Sequence, residues 1–339
     1  MDDPFYQKHP LQLAVDHYNP ARAGLSSQSG RVYNLAALGG DRLMSRIACP
    51  TATDTPPSLA NNMSGRETSH PISSDGPLAA QIALSPPLKW AGGKRWLVPT
   101  LRGLWQPHAH RRLVEPFVGG MAVALGLQPQ QALLNDINPH LINLYRWLRR
   151  GLTIDIEMAN DRDLYYSHRQ SFNDLIRHGQ HDSRQAAELF YYLNRTGYNG
   201  LCRFNRQGGF NVPFGRYRTI SYIRDWRQYA PILSRWEFTC ADLGQIAVSP
   251  DDWIYADPPY DVEFTSYSAG GFSWSDQVRL AEWLAAHPGP IVASNQATAR
   301  IQRLYGDLGF RLCLVDGPRR ISCTGDRAPA QEILATRGI

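Results

Sequence analysis

The residues best suited to chemistry lie in one short stretch, Asp257-Pro258-Pro259-Tyr260. An apolar run at 253–256 precedes them and is typical of a short buried strand, which the two prolines cannot continue. We therefore expect a stiff loop at the carboxyl end of that strand, where ligands bind in open α/β sheets. The loop offers a carboxylate, an unpaired carbonyl oxygen and an aromatic ring, which together could hold a flat ring that carries an amino group. A proline turn that happens to end in tyrosine fits this stretch equally well.

A glycine turn earlier in the chain could bind a carboxylate or a phosphate. Gly92 and Gly93 stand beside Lys94, and a helical pattern follows at 95–105. Free backbone N–H groups next to a cation at the start of a helix favour an anion. An ordinary helix N-terminus has the same pattern, so this turn by itself leaves both interpretations open.

A second glycine turn and two acidic residues indicate an adenosine-type ligand. A strand pattern at 113–118 leads into Gly119, and glycine at a strand-to-helix turn lets a nucleotide approach the backbone. Asp136 ends a second strand at 132–135, where an acidic residue can contact ribose hydroxyls. Asp242 follows a third strand and is a candidate contact to the ligand's adenine.

The segment 191–227 combines seven arginines and nine aromatic residues with a single acid, Asp225. Five glycines interrupt it, so 198–217 is predicted to be a loop or hairpin. Arginines and aromatic rings on a turn-rich projection suit phosphate contacts, base-edge readout and stacking on bases. A solvated loop in an arginine-rich protein is the alternative, since 32 of the 35 basic residues are arginines.

Alternating strand and helix patterns must position these groups, and they predict an α/β fold with a Rossmann-like sheet. Predicted helices cover 139–149, 163–177, 183–195, 275–287 and 298–308, and a buried strand covers 289–294. A closing antiparallel pair is expected from 310–315 and a stretch near Ile333. Three parts are predicted: a low-complexity extension at 1–85 that we expect to be disordered, a catalytic domain at 86–150 and 236–339, and an inserted recognition segment at 151–235.

Composition narrows the class of protein. The chain has 339 residues, of which 43% are hydrophobic, and a formal charge of +5, which favours a polyanionic partner. No apolar run reaches the length of a membrane span, so we expect no membrane association. The five cysteines are scattered, so the sequence predicts neither a zinc site nor a disulfide framework, and a reducing cytoplasm is the expected compartment. A monomer is expected.

From about Pro87 to its end, the chain also resembles the Dam-type DNA adenine N6-methyltransferases. The matching blocks are 88–94 (LKWAGGK), 114–119 (VEPFVG), 135–138 (NDIN), 192–203 (YLNRTGYNGLCR), 210–217 (FNVPFGRY), 257–260 (DPPY), 294–295 (SN) and 319–322 (RRIS). The resemblance implies a Rossmann-like methyltransferase sheet with a helical and loop insertion for DNA recognition. It also implies S-adenosyl-L-methionine as cofactor, double-stranded DNA as partner, a flipped adenine as substrate, and GATC as the recognition site.

The resemblance assigns roles residue by residue. Asp257, the Pro258 carbonyl and Tyr260 would hold the target adenine. The resemblance assigns cofactor contacts to Trp90, Lys94, Phe117, Asp136 and Asp257. The strand pattern adds Gly119 and Asp242 to this set. The resemblance assigns DNA contacts to Tyr198, Asn199, Leu201 and Arg203. The basic segments add Arg216 and Arg320 to this set.

One residue departs from the family pattern. Met121 occupies the position of the last glycine in the family's Phe-x-Gly-x-Gly motif, so the cofactor loop could be shifted. Met121 keeps open one alternative, a DNA-binding relative that has lost catalysis. Physical reasoning on the amine-binding loop leaves open a second, an amino-methyltransferase that acts on cytosine N4 or on RNA. Residues 1–85 have no counterpart in the family.

Overall fold

A computed structural model describes residues 84–261, 272–318 and 330–339. The predicted extension, apart from its last two residues, and the basic cluster that contains Arg320 lie outside these ranges, as does most of the Gly/Ser-rich segment after Asp261. Among the described helices, none combines the length and the apolar character that a membrane crossing requires.

A seven-stranded sheet forms the centre of the described chain, in the order β3-β2-β1-β4-β5-β7-β6. Its strands are β1 (Leu113–Glu115), β2 (Ala132–Asn135), β3 (Trp236–Thr239), β4 (Trp253–Ala256), β5 (Ile291–Gln296), β6 (Arg311–Gly317) and β7 (Ala330–Arg337). The first five strands pair in parallel, and β7 runs antiparallel to both β5 and β6. The strand order reverses between β1 and β4, which is the switch point where a Rossmann-like sheet binds its ligand. The predicted fold class is confirmed.

Alternating side chains of the central strands fill two hydrophobic layers, one on each face of the sheet. Leu113 and Trp253 pack into one layer, and the next residues, Val114 and Ile254, pack into the other. All four are fully buried. Because neighbouring side chains of a strand point to opposite faces, such continuous apolar strands require cover on both sides.

Helices supply that cover. They are α1 (Val98–Trp105), α2 (Ala122–Leu127), α3 (Pro139–Arg149), α4 (Arg162–Arg177), α5 (Arg184–Thr196), α6 (Ala230–Leu233), α7 (Trp274–Ala286) and α8 (Ala299–Asp307). Asn138 caps α3 by accepting from the N–H groups of His140 and Leu141, as its position before Pro139 predicts. Side-chain caps at Asp161, Ser183 and Thr298 start α4, α5 and α8 in the same way.

Three predicted boundaries need correction. The strand predicted at 113–118 ends at Glu115, because Pro116 cannot continue the ladder. The helix predicted from 95 begins at Val98, so the Gly92-Gly93 turn precedes the helix instead of opening it. The cap of α7 is Ser273 and not Ser275, because Ser273 and Asp276 form a reciprocal capping box.

The segment between α3 and β3 contains α4 and α5, and it shares the core of the sheet. Tyr145 of α3 lies in the same hydrophobic cluster as Phe190 of α5 and Trp226, and this cluster also contains Leu113 of the sheet. Because packed interiors transmit displacements, the continuous core ties this segment rigidly to the strands.

Candidate functional site

A cavity of about 680 Å³ opens at the carboxyl ends of β1, β2, β3 and β4. Every cofactor and adenine-binding residue predicted from the sequence lines it: Trp90, Lys94, Phe117, Gly119, Asp136, Asp242, Asp257, Pro258 and Tyr260. The volume falls within the range of about 300–1,000 Å³ that is typical of small-molecule sites. The sheet therefore brings residues from distant parts of the chain to one pocket.

The glycine turn after β1 lies directly against Trp90. A Cβ atom added to Gly119 would stand 2.7 Å from the indole Nε1, and one added to Gly120 would stand 2.9 Å from the Trp90 Cβ. Gly119 also has a φ of +44°, and its N–H donates to Asp136 Oδ2 over 3.1 Å. These contacts explain why two glycines stand here, since a side chain at either position would collide with the ring.

Met121 follows this turn and adopts the left-handed conformation at φ 60° and ψ 26°. Its side chain is fully buried in the hydrophobic core and is absent from the cavity lining. The backbone conformation explains why glycine suits this position, since side chains rarely adopt a positive φ. Gly119 and Gly120 therefore line the cavity, and Met121 does not.

Asp136 is held in place by backbone donors. Gly119 N–H binds Oδ2, and Asn138 N–H binds Oδ1 over 3.0 Å. Burial raises the pKa of Asp136, and these two donors oppose the rise. Neighbouring Asn135 is the last residue of β2. Its side-chain amide donates to the carbonyl of Pro116, which follows β1, and to the carbonyl of Ala241, which follows β3. The end of β2 is thus fixed by hydrogen bonds from both neighbouring loops.

Asp242 lies in the cavity wall, as predicted, but it has a partner that sequence reasoning missed. Arg279 of α7 binds it with two parallel hydrogen bonds of 2.8 and 2.9 Å. This hydrogen bonding lowers the pKa of Asp242. Arg279 also lines the cavity, so its guanidinium group is an additional candidate contact for a ligand.

Asp257 receives two donors on one oxygen. Lys94 Nζ lies 3.0 Å from Oδ1, and the Ser294 hydroxyl donates to the same atom over 2.8 Å. Tyr255 completes the chain by donating to the Ser294 oxygen over 3.0 Å, because the Ser294 proton is already used. Burial raises the pKa of Asp257, and the Lys94 ammonium opposes this rise. Lys94 itself is buried, with 4% of its side chain exposed.

The rest of the loop is braced from behind. Gln277 of α7 donates to the Pro259 carbonyl over 2.8 Å, and Asn295 of β5 orients that glutamine through a bond of 2.9 Å. Tyr260 donates its hydroxyl to Glu332 Oε2 over 2.6 Å. Pro258 lines the cavity, and within the described part of the chain no hydrogen bond to its carbonyl is seen.

Glu115, at the end of β1, is a further buried carboxyl in the cavity wall. Only 2% of the residue is exposed, and among the described residues its Oε1 atom has no hydrogen-bond partner. Burial raises the pKa of Glu115 well above its ordinary value, and the nearby Asp257 charge adds to the rise. Burial therefore favours the protonated, uncharged form of this carboxyl group.

A turn and a hairpin follow α5, at the place where the sequence predicts DNA contacts. Tyr198 and Asn199 begin a 3₁₀ turn, Tyr198–Gly200, and both are exposed. Asn199 has a φ of 53°, which asparagine tolerates better than most residues. Leu201 is half-buried and packs against the core, so it offers only part of its side chain to a partner.

The hairpin places Arg203 on an exposed surface. Phe204 and Phe210 face each other in an antiparallel bridge, and Asn205 closes the tip by accepting from two backbone N–H groups. Asn211 accepts from the Arg203 guanidinium through its side chain at 2.8 Å and its carbonyl at 3.1 Å. Arg216 is exposed as well. The hairpin interpretation of this segment is thus correct, and Arg203 is oriented before any partner binds.

Two contacts join the turn and hairpin after α5 to residues beside the cavity. The side chain of Asn194 binds both backbone groups of Lys89 and also the Gly200 carbonyl. Asn138, next to Asp136, donates to the Cys202 sulfur over 3.4 Å. The segments just before Trp90 and just after Asp136 therefore each contact the turn and hairpin.

Comparison with known proteins agrees with this geometry. The model of the D12 class N6 adenine-specific DNA methyltransferases matches residues 90–321. The chain is 38% identical over 269 residues to the DNA adenine methylase of Vibrio cholerae, across 73% of this chain and 94% of that protein. It is 36% identical over 265 residues to the retron Ec67 DNA adenine methylase of Escherichia coli, across 74% and 90%. A Lactococcus lactis protein, Type II methyltransferase M1.LlaDCHI, is 30% identical over 279 residues, across 76% and 96%.

The family model covers more than two thirds of the chain, and these relatives align over nearly their whole length. The cavity at the switch point and the loop Asp257–Tyr260 lie inside the matched region. The chain therefore belongs to the D12 class N6 adenine-specific DNA methyltransferases, enzymes that methylate adenine in DNA.

Proposed function

We propose that this enzyme transfers a methyl group from S-adenosyl-L-methionine to N6 of a flipped adenine in double-stranded DNA, within GATC. The observation that carries the proposal is the placement in one cavity of Asp257, held at one oxygen by Lys94 and Ser294, and of Pro258, whose carbonyl is a second acceptor. Two fixed acceptors side by side suit the two hydrogens of an exocyclic amine.

The cavity has the features that this cofactor needs. Its glycine turn leaves room that a Cβ atom would fill, and Asp136 presents a buried carboxyl beside it. Trp90, Lys94, Phe117, Gly119, Asp136, Asp242 and Asp257 would hold the cofactor. When bound, the cofactor supplies an electrophilic methyl group on a sulfonium centre.

Asp257 and the Pro258 carbonyl would accept the two N6 hydrogens. The lone pair of an adenine amino group is delocalised into the ring, and two acceptors shift electron density back to the nitrogen. Because both acceptors are fixed before the base arrives, they stabilise the developing charge without rearranging. An ionised Asp257 would also accept the proton that the nitrogen must lose once it carries its methyl group.

Tyr260 would support the base once it leaves the duplex. Extrusion of a base costs a few kcal/mol, and enzymes recover this cost by stacking and by contacts to the base edge. Aromatic stacking contributes about 1–3 kcal/mol per base. The Tyr260 ring is positioned at both ends, by the loop backbone and by the hydrogen bond to Glu332.

The turn and hairpin after α5 would read the DNA. Tyr198, Asn199, Leu201, Arg203 and Arg216 come from segments that resemble those of GATC-specific enzymes, and most of them are exposed here. Arg203 has the planar, preoriented guanidinium group that recognises guanine through two hydrogen bonds. Arg320 belongs to the same proposal, although it lies outside the described residues.

Labelled cofactor and paired duplexes test the proposal. The purified enzyme should methylate a duplex with one GATC and should leave unmodified both a GATC-free duplex and one already methylated on both adenines. Equal incorporation into the GATC and GATC-free duplexes would exclude the sequence preference. No incorporation into any duplex, with calorimetry showing no binding of S-adenosyl-L-methionine, would exclude the cofactor assignment.

Base flipping and assembly have separate measurements. A duplex with 2-aminopurine at the target position should gain fluorescence on binding, because the probe is quenched while stacked.

We also propose a monomer, since one chain supplies the cavity, the amine acceptors and the recognition surface. Light scattering with and without DNA measures the mass directly, and a stable dimer would contradict this assignment.

A further inference from the structure

The hydroxyl of Tyr260 is held by a residue from the far side of the sheet. It donates to Glu332 Oε2 over 2.6 Å, across 72 positions of the chain. Glu332 belongs to β7, opposite Gln296 of β5 and Val315 of β6. It also lies beyond 90–321, the segment that the family model matches. A carboxylate from the antiparallel part of the sheet thus reaches the loop that follows β4.

The other braces of the loop fix its backbone and leave the phenol ring alone. Gln277 binds the Pro259 carbonyl, and Asn295 accepts from the Asp261 N–H over 3.4 Å. Neither contact restrains rotation of the Tyr260 side chain. The hydroxyl donates to Glu332, and the Asp257 carboxylate is a second acidic group that interacts with it.

Lys94 is the second polar neighbour of the ring. Its Nζ atom lies 4.5 Å from the centroid of the Tyr260 ring while it also contacts Asp257. A cation over a ring stabilises the pair modestly but fixes its plane poorly, because the attraction is broad. A short hydrogen bond to a carboxylate is directional and about twice as strong as a neutral one. The bond to Glu332, at 2.6 Å, is therefore the strongest directional contact of the Tyr260 side chain.

We propose that Glu332 is a positioning residue for the target adenine, because its hydrogen bond holds the Tyr260 ring in the plane on which the flipped base stacks. This inference rests on the proposed function, in which Tyr260 supports the base. Glu332 acts through Tyr260, so its effect must vanish when the hydroxyl is removed. That dependence separates it from an ordinary structural residue of β7.

A double-mutant cycle measures the dependence. Glu332→Ala and Tyr260→Phe should each lower kcat/KM for a GATC duplex about tenfold, as expected for the loss of a hydrogen bond to a charged group. The double variant should be no worse than either single variant. Glu332→Gln should restore most of the activity, because its amide oxygen can still accept from the phenol. Gln331→Ala is the matched control, since this neighbour on β7 is exposed.

Two further readouts exclude a general loss of structure. Fluorescence of 2-aminopurine at the target position should change in Glu332→Ala and Tyr260→Phe alike, because a mobile ring quenches the flipped base less. Affinity for S-adenosyl-L-methionine and the unfolding midpoint should stay near those of the unmodified enzyme. Additive losses in the double variant, or full activity in Glu332→Ala, would overturn the proposal.

Tyr260→Ala separates this inference from the proposed function. If Tyr260→Ala methylates like the unmodified enzyme, the stacking role itself is wrong and Glu332 has nothing to position. If Tyr260→Ala loses activity while Glu332→Ala keeps it, the stacking role stands and only the role of Glu332 fails.

Discussion

Lys94 Nζ lies 3.0 Å from Asp257 Oδ1, and both side chains are largely withdrawn from water. The two residues come from segments 163 positions apart, one before α1 and one after β4. Breaking a buried pair by removing one partner costs several kcal/mol, because the remaining charge stays desolvated. The pair therefore holds the carboxylate in position, and Lys94 favours its ionised form against the effect of burial.

Replacing Lys94 should move the acid limb of the rate profile. Burial raises the pKa of Asp257, and Lys94 is the principal opposing influence. If catalysis needs the ionised form, the rate falls as the pH drops through this pKa. In Lys94→Met the pKa of Asp257 rises further, so the fall should begin at a higher pH. Single-turnover methylation at saturating DNA and cofactor, followed across the acid range, measures this shift.

Lys89→Met provides the matched control for that experiment. Lys89 lies five positions earlier, and its ammonium contacts the Arg195 carbonyl and the Tyr217 ring instead of a carboxylate in the cavity. Lys89→Met should leave the acid limb of the rate profile at the same pH, whatever its effect on DNA binding. An unmoved limb in Lys94→Met would contradict the role given to the ion pair.

Glu115 should make the enzyme less stable as the pH rises. Burial raises its pKa well above the ordinary value of 4.5. The folded state then holds a proton that the unfolded state releases, so the free energy of unfolding falls as the pH rises from about 4.5 through the raised pKa. Glu115→Gln removes this dependence, and its stability relative to the parent should grow with pH. Urea unfolding at several pH values checks it, and a constant difference would contradict it.

Residues close in sequence to a turn or a strand end were predictable, and contacts between distant elements were not. The loop Asp257–Tyr260, the turn at Gly119 and Asp136 were found because proline, glycine and acidic residues have positional meaning at strand ends. Arg279 and Glu332 were missed because no local pattern marks them. Arg279 reaches the cavity, and Glu332 reaches Tyr260, only after helix or strand packing sets the direction of each side chain, which depends on the whole topology.

Boundary errors in the fold have local causes that single residues illustrate. The strand that contains Glu115 is shorter than its apolar pattern, because Pro116 ends the ladder while Val118 still bonds to the Asn135 carbonyl. For α7, Ser273 and Ser275 both have the composition of a cap, and the Asp276 carboxylate selects Ser273. Such choices depend on competing hydrogen bonds, which composition does not reveal.

Gly119→Ala should weaken cofactor binding. The added Cβ would stand 2.7 Å from Trp90 Nε1, at a backbone φ of +44° that alanine disfavours. Either the ring or the turn must shift, so affinity for S-adenosyl-L-methionine should fall about tenfold or more, the loss of about 1.4 kcal/mol. Gly103→Ala is the control, because nothing lies within 4 Å of its added Cβ in α1. Calorimetric titration of both variants with S-adenosyl-L-methionine measures the change. Equal affinities in Gly119→Ala and Gly103→Ala would contradict the prediction.

Met121→Gly should lower stability without improving cofactor binding. Glycine relieves a left-handed conformation that costs about 1–2 kcal/mol, but it removes a fully buried side chain whose loss costs about 2–5 kcal/mol. The second effect is larger, so unfolding should become easier by about 1–3 kcal/mol. Chemical denaturation measures the change. A tighter complex with S-adenosyl-L-methionine would show that Met121 does restrict the cavity.

Arg203→Ala should reduce sequence discrimination more than overall DNA binding. Its guanidinium is oriented by Asn211, and one bidentate contact to a base contributes about 1–3 kcal/mol of discrimination. The ratio of kcat/KM between GATC and single-substitution duplexes should therefore drop by about 10- to 100-fold. Asn211→Ala should produce a smaller drop, because the guanidinium loses its orientation but remains present.

Arg218 is a neighbouring exposed arginine and provides the matched control. Arg218→Ala should weaken binding to all duplexes alike and lower its salt dependence, as expected for the loss of a phosphate contact. If Arg203→Ala behaves like Arg218→Ala, then Arg203 contacts the backbone and base recognition must lie elsewhere in the turn.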